Sequence, residues 1–366
     1  MNIKRFGRPA VVAVAAAIAL TSCAANEGAT SPAAEPSEET SALAGTLNAG
    51  GASSQGAAQE AWVASFQTTN PDVTINYDPS GSGAGREAFI AGGVSFAGTD
   101  SALKQEEIDG GFAACVPDTG YIQVPAYISP IAVIFNVEGV DELNLDAATT
   151  AGIFKGTITT WDDAAIVALN KDAKLPSAPI TAVHRADDSG TTKNFADYLN
   201  KVAPQVWDAA PADPFPYTTG EAAQGTSGVV DAVTNGKNTI GYADASKAGD
   251  LGVAKIKVGD EFVSYTPEAA AAVVEESPLV EGRDATDLAI AIDRKTTDPT
   301  HYPLVLVSYI IACQEYTDAE QGPLVKAYVS YLASDEGQAA AAKSAGAAPL
   351  ASDLSAKVAT AIEAIK

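Results

Sequence analysis

The folded part of the chain begins with three repeats of one pattern: an apolar strand, a turn rich in glycine and serine, and a helix. In the first repeat, apolar residues recur at helical spacing over residues 58–66, and Asn70-Pro71 ends the predicted helix near Thr69. Residues 73–77 alternate apolar and polar positions, and residues 94–101 form an apolar strand that runs into a polar turn. The pattern predicts an α/β fold.

A fourth unit of this kind occupies residues 179–195, where an apolar strand turns sharply into a helix that begins at Ser189 or Gly190. A helix start carries unpaired backbone N–H groups and a partial positive charge, so it attracts anions. Arg185 can clamp two oxygens of a tetrahedral anion, and Asp187 can hold its guanidinium in position. The alternative interpretation is an ordinary capped helix.

Four hydroxyl-rich turns strengthen the anion-site interpretation. In a parallel sheet the carboxyl ends of the strands meet at one edge, where ligands bind, so we expect the four turns to lie there together. Further along, residues 121–135 are strongly apolar, and residues 304–311 predict another strand, followed by helices over 323–332, 335–344 and 351–365. A folded part of about 320 residues suggests two domains.

Residues 1–22 have the features of a removable secretion signal, with a basic start and an apolar core that is too short to span a membrane. The core ends in Leu20-Thr-Ser-Cys23, which is typical of a lipobox in which Cys23 becomes the lipid-bearing N-terminus. An ordinary signal peptide cut nearby is the alternative. Residues 23–44 have almost no large apolar side chains, so they are expected to form a disordered tether.

The formal net charge of −24 excludes recognition of nucleic acid through a basic face. An acidic protein can still bind a small anion if its pocket supplies enough hydrogen-bond donors. Beyond Cys23, only Cys115 and Cys313 remain, and outside the cytoplasm such an even pair favours a disulfide. With two histidines and no cysteine cluster, the chain has little from which to build a metal site, and we expect no cofactor.

Several of these motifs together resemble the substrate-binding lipoproteins of bacterial phosphate ABC importers. The motifs are Gly51-Ala-Ser-Ser, Gly81-Ser-Gly-Ala-Gly, Phe96-Ala-Gly-Thr-Asp-Ser, His184-Arg-Ala-Asp-Asp-Ser-Gly-Thr-Thr, Gly156-Thr-Ile-Thr-Thr-Trp-Asp-Asp, Thr239-Ile-Gly-Tyr and Tyr302-Pro-Leu. The resemblance runs from about Thr46 to the C-terminus. It implies the two-lobed periplasmic-binding-protein fold of type II, with the ligand cleft between the lobes.

The resemblance also implies which residues bind phosphate. They are Ser53, Ser54, Ser82, Asp100, Arg185, Ser189, Gly190 and Thr191, with Asp187 in a supporting role. Two positions depart from the family pattern: Ser54 replaces a frequent aromatic residue, and Asp188 replaces a frequent glycine. The implied first lobe comprises residues 45–125 and 299–366, and the implied second lobe comprises residues 126–298.

The sequence therefore predicts a monomeric, lipid-anchored protein on the outer face of the cell membrane that captures inorganic phosphate for an ABC permease and its ATPase. It is not expected to be an enzyme. A sulfate or molybdate binder is one alternative, but the carboxylate of Asp100 would repel a fully deprotonated anion. A hydrolase using Ser189 with His184 as base is another. However, His184 and Arg185 are neighbours on a strand and point to opposite faces.

Overall fold

The computed structural model describes residues 43–366, in which strands and helices alternate from the first residues onward. The predicted signal, the lipidation residue Cys23 and nearly all of the predicted tether lie outside the described residues. Within residues 43–366, no helix combines the length and the apolar character that a membrane span requires.

Twelve strands and eleven helices form the described part of the chain. The strands are β1 Gly45–Gly51, β2 Val73–Asp78, β3 Phe96–Thr99, β4 Tyr121–Asn136, β5 Asn144–Leu145, β6 Thr181–Arg185, β7 Glu221–Ala223, β8 Thr239–Asp244, β9 Gly252–Val253, β10 Lys255–Val258, β11 Glu261–Val263 and β12 Val305–Cys313. The helices are α1 Gly56–Thr69, α2 Ser82–Ile90, α3 Gln105–Asp109, α4 Ala147–Lys155, α5 Ala164–Leu169, α6 Gly190–Val202, α7 Gly225–Asn235, α8 Pro267–Glu276, α9 Gln321–Ala333, α10 Asp335–Ala345 and α11 Ser352–Ile362.

Strand β4 connects two halves of a large sheet whose strand order is β2-β1-β3-β12-β4-β8-β6-β7. The residues of β4 up to Pro130 pair with β12, and those from Ile131 onward pair with β8. We call β2-β1-β3-β12 with the start of β4 the first half-sheet, and the end of β4 with β8-β6-β7 the second half-sheet. A smaller sheet has the order β11-β10-β5.

The directions of the strands explain how the functional turns meet. Strands β1 and β3 are parallel to each other, and both β3 and β4 are antiparallel to β12, so β1, β3 and β4 run the same way. Strands β8 and β6 run against β4. The carboxyl ends of β1 and β3 therefore point towards the carboxyl end of β6. The expectation of a single parallel sheet edge was wrong, because two opposed edges bring the four turns together.

The first half-sheet is stabilised by buried aromatic residues and by a covalent cross-link. The indole of Trp62 on α1 lies edge-on to Tyr127 of β4, with ring centroids 6.5 Å apart, and its N–H donates to the carbonyl oxygen of Gly337 at 2.7 Å. Cys115 and Cys313 form a disulfide with Cα atoms 5.2 Å apart. These contacts attach α1, α10 and the end of β12 to the same sheet, so they hold in place the sheet from which the functional turns extend.

Candidate functional site

Asp100, which directly follows β3, is the point at which the turns converge. Its side chain is buried, with 4% of the residue exposed, and its two carboxylate oxygens accept from different elements. The Ser54 hydroxyl donates to Oδ1 at 2.7 Å, and the Thr191 hydroxyl of α6 donates to Oδ2 at 3.0 Å. The backbone N–H of Asp100 donates to Ser82 Oγ at 3.1 Å. One residue thereby joins three of the turns with the start of α6.

Two glycines allow the turns to approach this closely. A Cβ atom at Gly190 would lie 2.6 Å from Ser82 Oγ and 2.7 Å from Asp100 Cβ, distances that real side chains do not reach. Gly51 has a φ of +136°, and a Cβ there would overlap the carbonyl oxygen of Gly98 in the neighbouring strand. The turns therefore need glycine at these positions, because any side chain would collide with the neighbouring turn or strand.

Arg185, at the end of β6, is almost completely buried and is held by Asp187. Arg185 Nε donates to Asp187 Oδ1 at 2.8 Å, and Nη2 donates to Asp187 Oδ2. The backbone N–H of Gly225, the first residue of α7, also donates to Asp187 Oδ1 at 2.9 Å. This pairing fixes the plane of the guanidinium, as expected if Asp187 positions Arg185 for an anion.

Helix α6 begins beside this pair. Ser189 is its N-cap, and Ser189 Oγ accepts from the N–H of Thr192 at 3.3 Å, so capping does take place. The Ser189 hydroxyl hydrogen remains available as a donor, and the N–H groups of Gly190 and Thr191 lie in the first turn, where helical N–H groups are free. Capping and anion binding are therefore compatible at this helix start.

Ser53 connects the first turn to helix α7. Its hydroxyl lies 2.9 Å from Thr226 Oγ1 and accepts from the Thr226 N–H at 3.2 Å. Thr226 belongs to the first turn of α7. The contact places the start of α7 next to the first turn.

Two further positions bear on the alternatives raised by the sequence. Asp188 is exposed, and its carbonyl oxygen accepts from the N–H of Gly83 at 2.9 Å. Its carboxylate therefore faces solvent. His184 is buried and stacks on Phe215, with ring centroids 3.9 Å apart, while its Nδ1 bonds to the carbonyl oxygen of Arg185 at 2.9 Å. The imidazole is thus engaged in packing.

Asn194 is a contact that sequence reasoning missed. From the second turn of α6, its Nδ2 donates to the carbonyl oxygen of Asp100 at 2.8 Å and to that of Gly190 at 3.0 Å. Its Oδ1 accepts from the buried Arg294. Its spacing of four residues from Gly190 places it on the same helix face, which is the only signal that the sequence carries.

Comparison with known proteins agrees with this geometry. Residues 36–336 match the model of the PBP superfamily domain. The phosphate-binding protein PstS 3 of Mycobacterium leprae is 35% identical over 289 residues, which is 78% of each chain. PstS 3 of Mycobacterium tuberculosis is 32% identical over 375 residues, covering all of both chains.

The chain belongs to the PstS family of phosphate-binding proteins. The family resemblance predicted from the motifs is thus confirmed. Among solved structures, the high-affinity periplasmic phosphate-binding protein PfluDING, bound with phosphate, has a TM-score of 0.70 at 25% identity, covering 86% of this chain and 93% of that one. A phosphate-binding protein from Stenotrophomonas maltophilia, at 19% identity, has a TM-score of 0.64 with the same coverage and shows the same fold.

These neighbours confirm the predicted two-lobed PBP fold. Strand β4 passes from the first half-sheet to the second. Ser54, Ser82 and Asp100 follow strands of the first half-sheet, whereas Arg185 ends β6 of the second half-sheet, with Asp187 and α6 directly after it. The PstS family is one of substrate-binding proteins and not a class of enzymes.

Proposed function

We propose that this protein binds inorganic phosphate outside the cytoplasm and delivers it to an ABC permease. The observation that supports it best is the arrangement around Asp100: this buried carboxylate accepts from Thr191 at the N-terminus of α6 and is close enough to the buried Arg185 to be affected by its charge. A site made only of donors would suit any oxyanion. A carboxylate among those donors suits an oxyanion that still has a hydrogen to donate, and phosphate at neutral pH has one.

The proposed phosphate ligands are the eight residues inferred from the sequence. They are Ser53, Ser54, Ser82, Asp100, Arg185, Ser189, Gly190 and Thr191, with Asp187 holding Arg185. The hydroxyls of Ser54 and Thr191 bond to Asp100, so their backbone N–H groups would be their main donors to phosphate. The lobes are proposed as residues 45–125 with 299–366, and residues 126–298.

The remaining features belong to the same proposal. A lipid on Cys23 would anchor the protein at the outer face of the cell membrane, and residues 23–44 would give the lobes room to reach the permease. The protein would act as a monomer and would not change its ligand chemically. The phosphate-binding names of its relatives and the phosphate bound in a structural neighbour support this function.

Titration calorimetry with phosphate, arsenate and sulfate tests the proposal. Arsenate keeps a proton at neutral pH, so it should bind as phosphate does, whereas sulfate should bind far more weakly. Equal binding of sulfate and phosphate would contradict the role of Asp100. Incubation with p-nitrophenyl phosphate tests the hydrolase alternative, and release of p-nitrophenol by the purified protein would contradict a pure binding function.

A further inference from the structure

A second group of buried charges crosses the cleft beside the anion site. Arg86 lies on α2 in the first lobe, and Asp213 lies in the second lobe, in the segment 203–220 between α6 and β7. Arg86 Nη2 is 2.7 Å from Asp213 Oδ2. Arg86 is 2% exposed and Asp213 is 3% exposed, so neither charge has water around it to replace its partner.

The first lobe holds Arg86 in place by itself. Arg86 Nε donates to the carboxylate of Glu107 at 3.1 Å, and Nη1 donates to Thr99 Oγ1 at 3.2 Å. Both partners belong to the first lobe. The guanidinium is therefore oriented before the lobes come together. Its Nη2 is directed at the position that Asp213 takes in this structure.

Asp213 links Arg86 to the anion site. Its Oδ1 accepts from the hydroxyl of Ser101, the residue after Asp100, while its backbone carbonyl oxygen accepts from the N–H of Ser189 at 3.1 Å. Thr99 and Ser101 flank Asp100, and Ser189 caps α6. The contacts of Arg86 and Asp213 thus fall on one proposed phosphate ligand, Ser189, and on the two chain neighbours of another, Asp100.

We propose that Arg86 and Asp213 form a latch that holds the cleft closed and sets how slowly phosphate leaves. The inference rests on the proposed phosphate-binding function. Both are positioning residues, because their side chains bond to neighbours of the anion site and to each other. Opening the cleft separates the two charges, whereas phosphate can enter an open cleft before they meet. The latch therefore acts mainly on release.

The charge states favour such a latch. Burial raises the pKa of Asp213, but the attraction of Arg86 and the hydrogen bond from Ser101 outweigh burial and leave the pKa below its ordinary value. The carboxylate is therefore ionised in the closed cleft at neutral pH. Removing one partner from a buried ion pair is costly because the other charge stays buried without compensation.

Release of radiolabelled phosphate into excess unlabelled phosphate measures the effect. Asp213→Asn keeps the size of the side chain and an acceptor for Ser101 but removes the charge. We expect its dissociation rate to rise at least about tenfold, with an association rate within about twofold of wild type. The matched control is Asp208→Asn in the same segment, which removes an exposed partner of Lys155 at 2.7 Å. It should release phosphate at the wild-type rate.

Arg86→Lys is the second variant, and it should also speed release, because a lysine cannot bond to Glu107, Thr99 and Asp213 together. If both variants release phosphate as slowly as Asp208→Asn, or if only their association rates fall, the latch is wrong. Thermal unfolding without phosphate shows which variants are folded. The release rate of a folded variant then decides whether the latch exists. If wild-type protein does not bind phosphate at all, the proposed function fails instead.

Discussion

Two aspartates lie in the same cleft and differ in what surrounds them. Asp100 is surrounded mainly by hydroxyl groups, and burial raises its pKa more than the hydrogen bonds of Ser308, Ser54 and Thr191 and the charge of Arg185 lower it. Burial also raises the pKa of Asp187, but the hydrogen bonds and charge of Arg185 outweigh it, so that pKa lies below the ordinary value.

This difference separates two tasks that a carboxylate can perform in an anion site. Asp187 is neutralised by Arg185, so it can hold the guanidinium without repelling the ligand strongly. Among the described residues no cation pairs with Asp100, so in the proposed site its charge would act on the ligand itself. A ligand that can donate a hydrogen bond would satisfy it, and one that cannot would be rejected. The comparison predicts distinct consequences for removing each charge.

The largest effect is expected for Asp100→Asn. An asparagine can donate through its NH₂ group and carries no charge, so the repulsion of sulfate is lost. Sulfate affinity should rise by about 100-fold or more, since a site that demands a specific hydrogen bond rejects an analogue by roughly 10⁴-fold or more. Phosphate affinity should change modestly. Calorimetry with both anions measures this.

Asp188→Asn is the matched control for this variant, because it removes an equal charge close to the site from an exposed side chain. Sulfate affinity should hardly respond to it. If Asp100→Asn still excludes sulfate as fully as wild type does, Asp100 is no more than a structural residue that ties the turns together, and the contrast with Asp187 disappears.

The next effect concerns the cation that Asp187 holds. Arg185→Lys keeps the positive charge but loses the planar group that can bond to Asp187 and to an anion at once. Phosphate affinity should fall by at least about tenfold, which is about 1.4 kcal/mol. Selectivity against sulfate should be retained, because Asp100 is unchanged. An unaltered dissociation constant in calorimetry would remove Arg185 from the site.

Much of the fold and of the proposed site follows from the sequence. The rest depends on contacts between residues that are far apart in the sequence. The Gly-Ser turns and the end of helix α1 at Thr69 follow from local patterns. The opposite directions of β1 and β6 do not, because they depend on strand pairing through β4. The pairing of Arg86 with Asp213 spans 127 positions, and each residue alone looks like an ordinary surface charge in the sequence.

A smaller effect is expected for Asp187→Asn. The variant keeps one acceptor for Arg185 and loses the second charge-assisted hydrogen bond, so the guanidinium is less firmly oriented. Phosphate affinity should fall about fivefold, the equivalent of roughly 1 kcal/mol for one hydrogen bond. Sulfate exclusion should persist, in contrast to Asp100→Asn. A gain in sulfate affinity here would show that the two aspartates share one task.

The smallest effect is a pH dependence of sulfate binding. Because the pKa of Asp100 is raised, its carboxylate takes up a proton at a higher pH than an exposed aspartate does, whereas Asp187, with a lowered pKa, stays ionised. A protonated Asp100 can donate to sulfate, so exclusion should weaken as the pH falls. Sulfate is a suitable probe because, unlike phosphate, it does not itself titrate near neutral pH.

Between about pH 8 and about pH 5, sulfate affinity of the wild type should rise about threefold or more. A protonated fraction of a few per cent is enough for this if the protonated site binds sulfate about as well as the asparagine variant does. Asp100→Asn is the control, since it experiences the same change in overall charge but lacks the titrating group. Parallel pH profiles for wild type and Asp100→Asn would show that general charge, and not the proton on Asp100, governs sulfate binding.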